Sequence, residues 1–138
     1  MDLEHIMERI KFKKGEMPND IFSDLASEAA DHIASSGNTN KTTQLRKFYD
    51  ELVMWHDKVH NEQKENREAK YRELAPYIKM LNAKVAYASG RKSAGQKLVN
   101  ENFKKLFSHC IRQIDDPETL KHCKLFMEAL IGFRKAKE

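Results

Sequence analysis

The sequence predicts an all-α protein, a single compact bundle of five to six helices. Apolar residues recur at helical spacing along most of the chain. Glycine and proline are few and sit mostly at boundaries: Gly15, Pro18, Gly37, Gly90, Gly95 and Pro117. No stretch alternates apolar and polar residues between hairpin turns, so strands are not expected. At 138 residues the chain is long enough to bury a core as one domain, residues 1–138. Within it we distinguish an N-terminal helical segment, 1–40, of uncertain packing and a basic helical core, 41–138.

The first expected helix spans about 2–13, with Leu3, Ile6, Met7 and Ile10 on one stripe, and Gly15 and Pro18 end it. The second, about 19–35, carries Ile21, Phe22, Leu25, Ala29 and Ile33. The polar run Ser35-Ser36-Gly37-Asn38-Thr39-Asn40 is the clearest loop. Thr42 or Thr43 is expected to cap the third helix, whose stripe is Leu45, Phe48, Tyr49, Leu52, Val53, His56 and Val59. The charged run Asn61–Arg72 is expected to continue that helix, and Pro76 to kink or break it, because proline lacks an amide hydrogen and crowds the preceding turn. Ile78, Leu81, Val85 and Ala88 mark the fourth helix; Leu98, Val99, Phe103, Leu106, Phe107, Cys110, Ile111 and Ile114 mark the fifth. Asp116-Pro117 is a start signal for the sixth, a side-chain cap followed by proline at the first helical position. Its stripe is Leu120, Cys123, Met127, Leu130 and Ile131, with Phe126 and Phe133 alongside.

The formal charge of +4 is unevenly spread: residues 1–69 balance to −4 and residues 70–138 to +8. A basic C-terminal half suits an anionic partner such as nucleic acid or an acidic protein face, or else is a lysine-rich solvated surface. Two cysteines make no disulfide framework, which suits a reducing cytoplasm. No run approaches the ~20 apolar residues that span a membrane, and Asp2 and Glu4 do not suit a signal peptide.

Two basic segments stand out: Thr42-Thr43-Gln44-Leu45-Arg46-Lys47-Phe48-Tyr49, and Lys84-Val85-Ala86-Tyr87-Ala88-Ser89-Gly90-Arg91-Lys92. Lys84 and Arg91 are seven apart and project from nearly one helix face. Ala88 between them is expected to leave a shallow groove for a sugar-phosphate backbone, bordered by Tyr87 as a stacking ring. The alternative places Tyr87 in the core. Arg46 and Lys47 occupy a first helical turn, where the helix dipole disfavours cations, which hints at an external anion. The alternative is pairing of Arg46 with Asp50 and Lys47 with Glu51, worth ~0.2–0.5 kcal/mol each. Lys97 with Lys104, and Lys105 with Arg112, repeat the seven-residue spacing and would widen the basic surface.

Catalytic chemistry finds little support. His109-Cys110 and His122-Cys123 invite a zinc reading, but neighbours on a helix point ~100° apart and cannot easily share an ion. His56 and His60 have ligand-like spacing, yet Asp57 stands where a metalloprotease motif needs glutamate, so core or interface histidines are expected. No glycine-rich phosphate loop, Gly-x-Ser-x-Gly or paired-carboxylate motif occurs. We expect no enzyme activity, cofactor or metal.

The two basic segments, followed by Asp116-Pro117-Glu118-Thr119-Leu120 through Phe126-Met127-Glu128-Ala129-Leu130-Ile131, resemble in order and spacing the small subunit of the type III-A CRISPR effector, the Csm complex. The resemblance covers roughly residues 42–134; the segment 1–40 has no counterpart in it. It implies a non-catalytic helical protein of antiviral defence. Copies would stack in a filament beside the backbone subunits that hold the guide RNA, with target RNA paired to guide in the channel between. Arg46, Lys47, Lys84, Arg91 and Lys92 would then touch phosphates of the target strand, other Csm subunits would be partners, and cleavage would fall to those subunits. Guide–target pairing supplies specificity, so sequence-blind charge contacts suffice. Two rivals remain: a free-standing helical DNA-binding regulator, which would show a recognition helix after a tight turn, and a metal-dependent bundle enzyme, which metal analysis would reveal.

Overall fold

The computed structural model describes residues 2–34, 39–93 and 96–138, apart from the side chains of Ser93 and Gln96. Among the described residues seven α-helices follow one another: α1 (Leu3–Arg9), α2 (Asp24–Ala34), α3 (Thr42–His60), α4 (Arg67–Lys79), α5 (Leu81–Gly90), α6 (Glu101–Arg112) and α7 (Pro117–Ala136). Met80 alone separates α4 from α5, and its backbone is itself helical (φ −64°, ψ −17°), so the pair counted as one bent helix gives six. The class is all-α. Two-residue strands β1 (Lys92–Ser93) and β2 (Gln96–Lys97) form a small antiparallel ladder between α5 and α6.

The predicted stripes become the core. Leu25, Ala29 and Ile33 of α2, Leu45 and Leu52 of α3, Phe103, Leu106 and Phe107 of α6, and Leu120, Phe126 and Met127 of α7 are all fully buried in one cluster. α7 packs most extensively, between α2 and α3, while α5 lies against α6. The N-terminal segment contributes fully: Ile6, Ile10, Phe12 and Ile21 join the same cluster. α1 stops at Arg9, four residues short of expectation, because the chain extends so that Ile10 and Phe12 both reach the core; Phe12 lies 6.0 Å from Phe126. His109 donates from Nε2 to the Ile10 carbonyl (3.0 Å) and His122 from Nδ1 to that of Phe12 (2.7 Å), which satisfies the backbone of this extended stretch. Gly15 follows at φ +88°, a conformation that favours glycine. Residues 19–23 form turns, so α2 starts at Asp24.

Several boundaries correct the sequence reading. The charged run does not continue α3. The chain reverses at Asn61–Gln63, makes a 3-10 turn at Lys64–Asn66 and returns as α4 along α3. α4 runs through Pro76, which is exposed, and water can take the carbonyl that the missing amide leaves free. Thr42 does not cap its own helix; its amide and hydroxyl both donate to the Glu138 carboxylate, at 2.9 and 3.0 Å. α6 begins at Glu101, with Asn100 accepting from the Phe103 amide (3.0 Å), which leaves Lys97 in the ladder. The start of α7 is as expected: Asp116 accepts from the Thr119 amide (2.6 Å), and the Thr119 hydroxyl accepts from the Asp116 amide (3.0 Å). Of the expected loop 35–40 only Thr39 and Asn40 are among the described residues, and Gly95 also lies outside them.

Asn40 ties the bundle together. Its φ of +60° is tolerated by asparagine. Its amide nitrogen donates to the Ile33 carbonyl (3.1 Å) and to Asn100 (2.9 Å), and its side-chain oxygen accepts from the Asn100 amide (3.1 Å). Its own carbonyl accepts from buried Arg134 of α7 (3.0 Å), and its amide donates to Leu98 (3.0 Å). The side chain of this one buried residue thus joins the end of α2 to the start of α6, and its backbone adds the bonds to Leu98 and Arg134 beside the start of α3.

Candidate nucleic-acid interface

α5 separates a core face from a chemical face. Leu81, Val85, Ala88 and Ser89 are buried, whereas Lys84, Tyr87 and, one residue past the helix end, Arg91 are exposed. Tyr87 is 69% exposed, which excludes the core alternative, and the Arg91 guanidinium lies 5.6 Å from its ring centroid. Such a cation–π contact at an exposed site is worth ~0.5–1 kcal/mol and orients both groups outward. Ala88 is a correction: it is 4% exposed and faces the core, so Tyr87, not a small-residue groove, fills the space between the two cations. Lys92 follows in β1 and pairs in register with Lys97 of β2, which sets two exposed lysines opposite each other. Like charges across a ladder are locally unfavourable, and a bound anion would relieve that cost.

α3 brings Glu51 to this face. Its Oε1 accepts from Lys84 Nζ (2.7 Å) and its Oε2 from Trp55 Nε1 (3.2 Å). Trp55 in turn stacks on Tyr77 of α4, centroids 5.6 Å apart and planes 20° from parallel. Lys47, one turn before Glu51 on the same stripe of α3, is exposed. Arg46 points elsewhere: it lines a pocket of about 270 Å³ with Tyr49, Glu128, Ile131 and Gly132, on the α7 side. There the Tyr49 hydroxyl donates to Glu128 (2.9 Å); burial and this carboxylate push its pKa up to about 12. Neither Arg46–Asp50 nor Lys47–Glu51 forms an ion pair; Glu51 is engaged by Lys84 instead. Lys84, Arg91 and Lys92 thus follow one another along α5 and into β1, Lys47 stands one turn from Glu51 on α3, and Arg46 lies apart. Lys104, Lys105 and Arg112 lie on α6 around a separate cleft of about 340 Å³ with Glu4, Met7 and Glu101.

The Trp55–Tyr77 pair and the role of Glu51 escaped the sequence reading. Its signals were the four-residue spacing of Glu51 and Trp55 on one helix, and the seven-residue spacing of Tyr77 and Lys84.

The histidine–cysteine dipeptides split as their helical geometry requires. Cys110 and Cys123 are free and fully buried, and burial pushes both thiols well up, while their neighbouring imidazoles serve the backbone carbonyls described above. His56 and His60 stack at 4.2 Å; His60 donates to the Pro117 carbonyl (2.9 Å), and burial lowers the His56 pKa. Among the described residues no three His, Cys, Asp or Glu side chains are grouped to hold a metal ion, and no helix is long and apolar enough to cross a membrane.

These features define a small all-α protein with an outward track of cations and aromatic rings. The family model described as Csm2 Type III-A matches residues 19–138, and the chain belongs to that family. It is accordingly a small subunit of the type III-A Csm effector complex, a structural family whose members assemble with other Csm subunits. Comparison with curated proteins finds no match, and neither does comparison with solved structures.

Proposed function

We propose that this subunit braces the effector by holding the target-RNA backbone without reading its sequence, and that it contributes no catalytic group. The observation that carries this is the outward Lys84–Tyr87–Arg91 stripe of α5, extended by Lys92 and by Lys47 of α3. Lys84, Arg91, Lys92 and Lys47 contact phosphates of the target strand paired to the guide, and Arg46 contributes from the α7 side. Charge contacts of this kind position nucleic acid and carry no sequence information, which suits a system whose specificity lies in base pairing. Copies of the subunit line up along the duplex as a filament beside the backbone subunits, in the cytoplasm. α5 does not have the placement that the DNA-regulator reading asks of a recognition helix: it continues from α4 through Met80 alone, not from a tight turn.

The test is affinity capture of the tagged protein from its host, with mass spectrometry of proteins and sequencing of bound RNA. Recovery of other Csm subunits with repeat-derived guide RNA and complementary target RNA supports the reading. Recovery of the protein alone, or with DNA only, overturns it.

A further inference from the structure

The Trp55–Tyr77 pair lies outside the phosphate contacts proposed above. Tyr77 is 53% exposed although the indole stacks against one of its faces, so its other face is open to solvent. The platform is also held still. Trp55 Nε1 donates to Glu51, and the second oxygen of the same carboxylate accepts from Lys84, so a hydrogen bond backed by an ion pair orients the indole. A third ring arriving on Tyr77 would meet a preorganised surface, which reduces the ordering cost of binding. Met80, three residues on and 56% exposed, extends the apolar area beside it.

An exposed aromatic cluster also suits a protein partner. Continuity with the cationic track favours nucleic acid. Lys84 joins the Trp55–Tyr77 unit to α5, where Tyr87 and Arg91 repeat the pairing of ring and cation. The two tyrosines are ten residues apart along α4 and α5, about 15 Å of helical rise. Rings alternating with cations along one track is the composition of a surface that takes single strands, since every base offers a π-face to stack. The central part of a protein–protein contact is instead depleted in lysine. Within a duplex the base faces are already stacked on one another, so such a platform distinguishes unpaired from paired nucleotides.

We infer that the open face of Tyr77 is a stacking subsite for an unpaired nucleobase of single-stranded RNA, with Lys84 beside it for the adjoining phosphate. The inference rests on the nucleic-acid reading of α5 and adds to it a preference for unpaired nucleotides.

Trp55 is the only tryptophan of the chain, so its emission reports directly on the subsite. The intact protein is titrated with an unstructured RNA of about ten nucleotides, within the usual range of single-strand sites, and with the same RNA annealed to its complement. The single strand should change Trp55 emission. Tyr77→Ala should weaken single-strand binding by about five-fold or more, the loss of one stacked base, and leave duplex affinity unchanged. Tyr77→Phe should bind as the parent does. Equal single-strand affinity of the parent and Tyr77→Ala, with duplex binding intact, overturns the subsite and leaves the backbone reading standing. Failure of the parent to bind either RNA overturns both. A change in Trp55 emission with protein concentration alone, abolished by Tyr77→Ala, assigns this face to a second copy of the chain and also overturns the inference. Circular dichroism of each variant excludes unfolding as the cause.

Discussion

Lys84 of α5 and Glu51 of α3 meet at 2.7 Å, and this contact joins the two helices that carry the cationic face. Lys84 is 47% exposed, and an exposed ion pair of this kind is worth ~0.2–1 kcal/mol, too little to keep the ammonium from a phosphate. Glu51 thus lowers the charge offered to RNA while it orients Lys84 and Trp55. Glu51→Gln should strengthen RNA binding several-fold, and more so at low salt, where charge contacts dominate. Fluorescence anisotropy across a salt series measures this; weaker binding by the variant would show that the carboxylate contributes by positioning alone.

Arg46 lines the pocket beside α7, whereas Arg91 stands against Tyr87 past the end of α5. Their effects should therefore add. Each alanine variant should lower the magnitude of the log-affinity against log-salt slope by about 0.7–0.9, the loss of one phosphate contact. Unchanged target affinity of the double variant at every salt concentration would remove both residues from the interface.

Asn40→Ala should destabilise the fold by about 2–4 kcal/mol, through a left-handed residue without its side-chain support, an Asn100 amide left without its acceptor and an Ile33 carbonyl left without its donor. Chemical denaturation measures it. A loss below about 0.5 kcal/mol, the ordinary range for surface changes, would contradict the place of the Asn40 side chain as the tie between α2 and α6.

The Glu138 carboxyl is held down to about 2 by the Thr42 amide, with Lys135 and the Thr42 hydroxyl adding to it. Its folded-state value lies below its ordinary 4.5, so its contribution to stability is complete above that pH and is lost as pH falls towards 2. Thermal unfolding of the parent and Glu138→Gln should differ at neutral pH and converge in acid. A difference that stays constant from pH 7 to 2 would show that the interaction with Thr42 does not depend on the carboxylate charge.

Local signals in the sequence carried far where local physics decided the outcome. Leu45, Phe48, Leu52 and Val59 of α3 and the stripes of α6 and α7 are buried as their periodicity requires, and the Asp116-Pro117 start is where a capping box places it. Tyr87 is as exposed as a stacking role needs. The sequence was silent where residues distant along the chain decide. Glu138 at Thr42 and the histidines at Ile10 and Phe12 join groups roughly a hundred residues apart. The reversal at Asn61–Gln63 hid in a run whose charges suit an exposed helix as well as a turn. Ala88 was given two places, on the apolar stripe and on a groove floor, because a small residue fits either, and it is the stripe that holds. Trp55 and Tyr77 form a pair only because α4 returns along α3.

The central claim is that the α5 face holds target RNA inside the assembled effector. Photocrosslinking of target RNA in the intact complex, followed by mass spectrometry of the crosslinked peptides, tests it most directly. The account predicts crosslinks on the segment from Lys84 to Lys92, at Tyr87 above all. Crosslinks confined to other subunits, or to the α1–α6 cleft of this one, would contradict it.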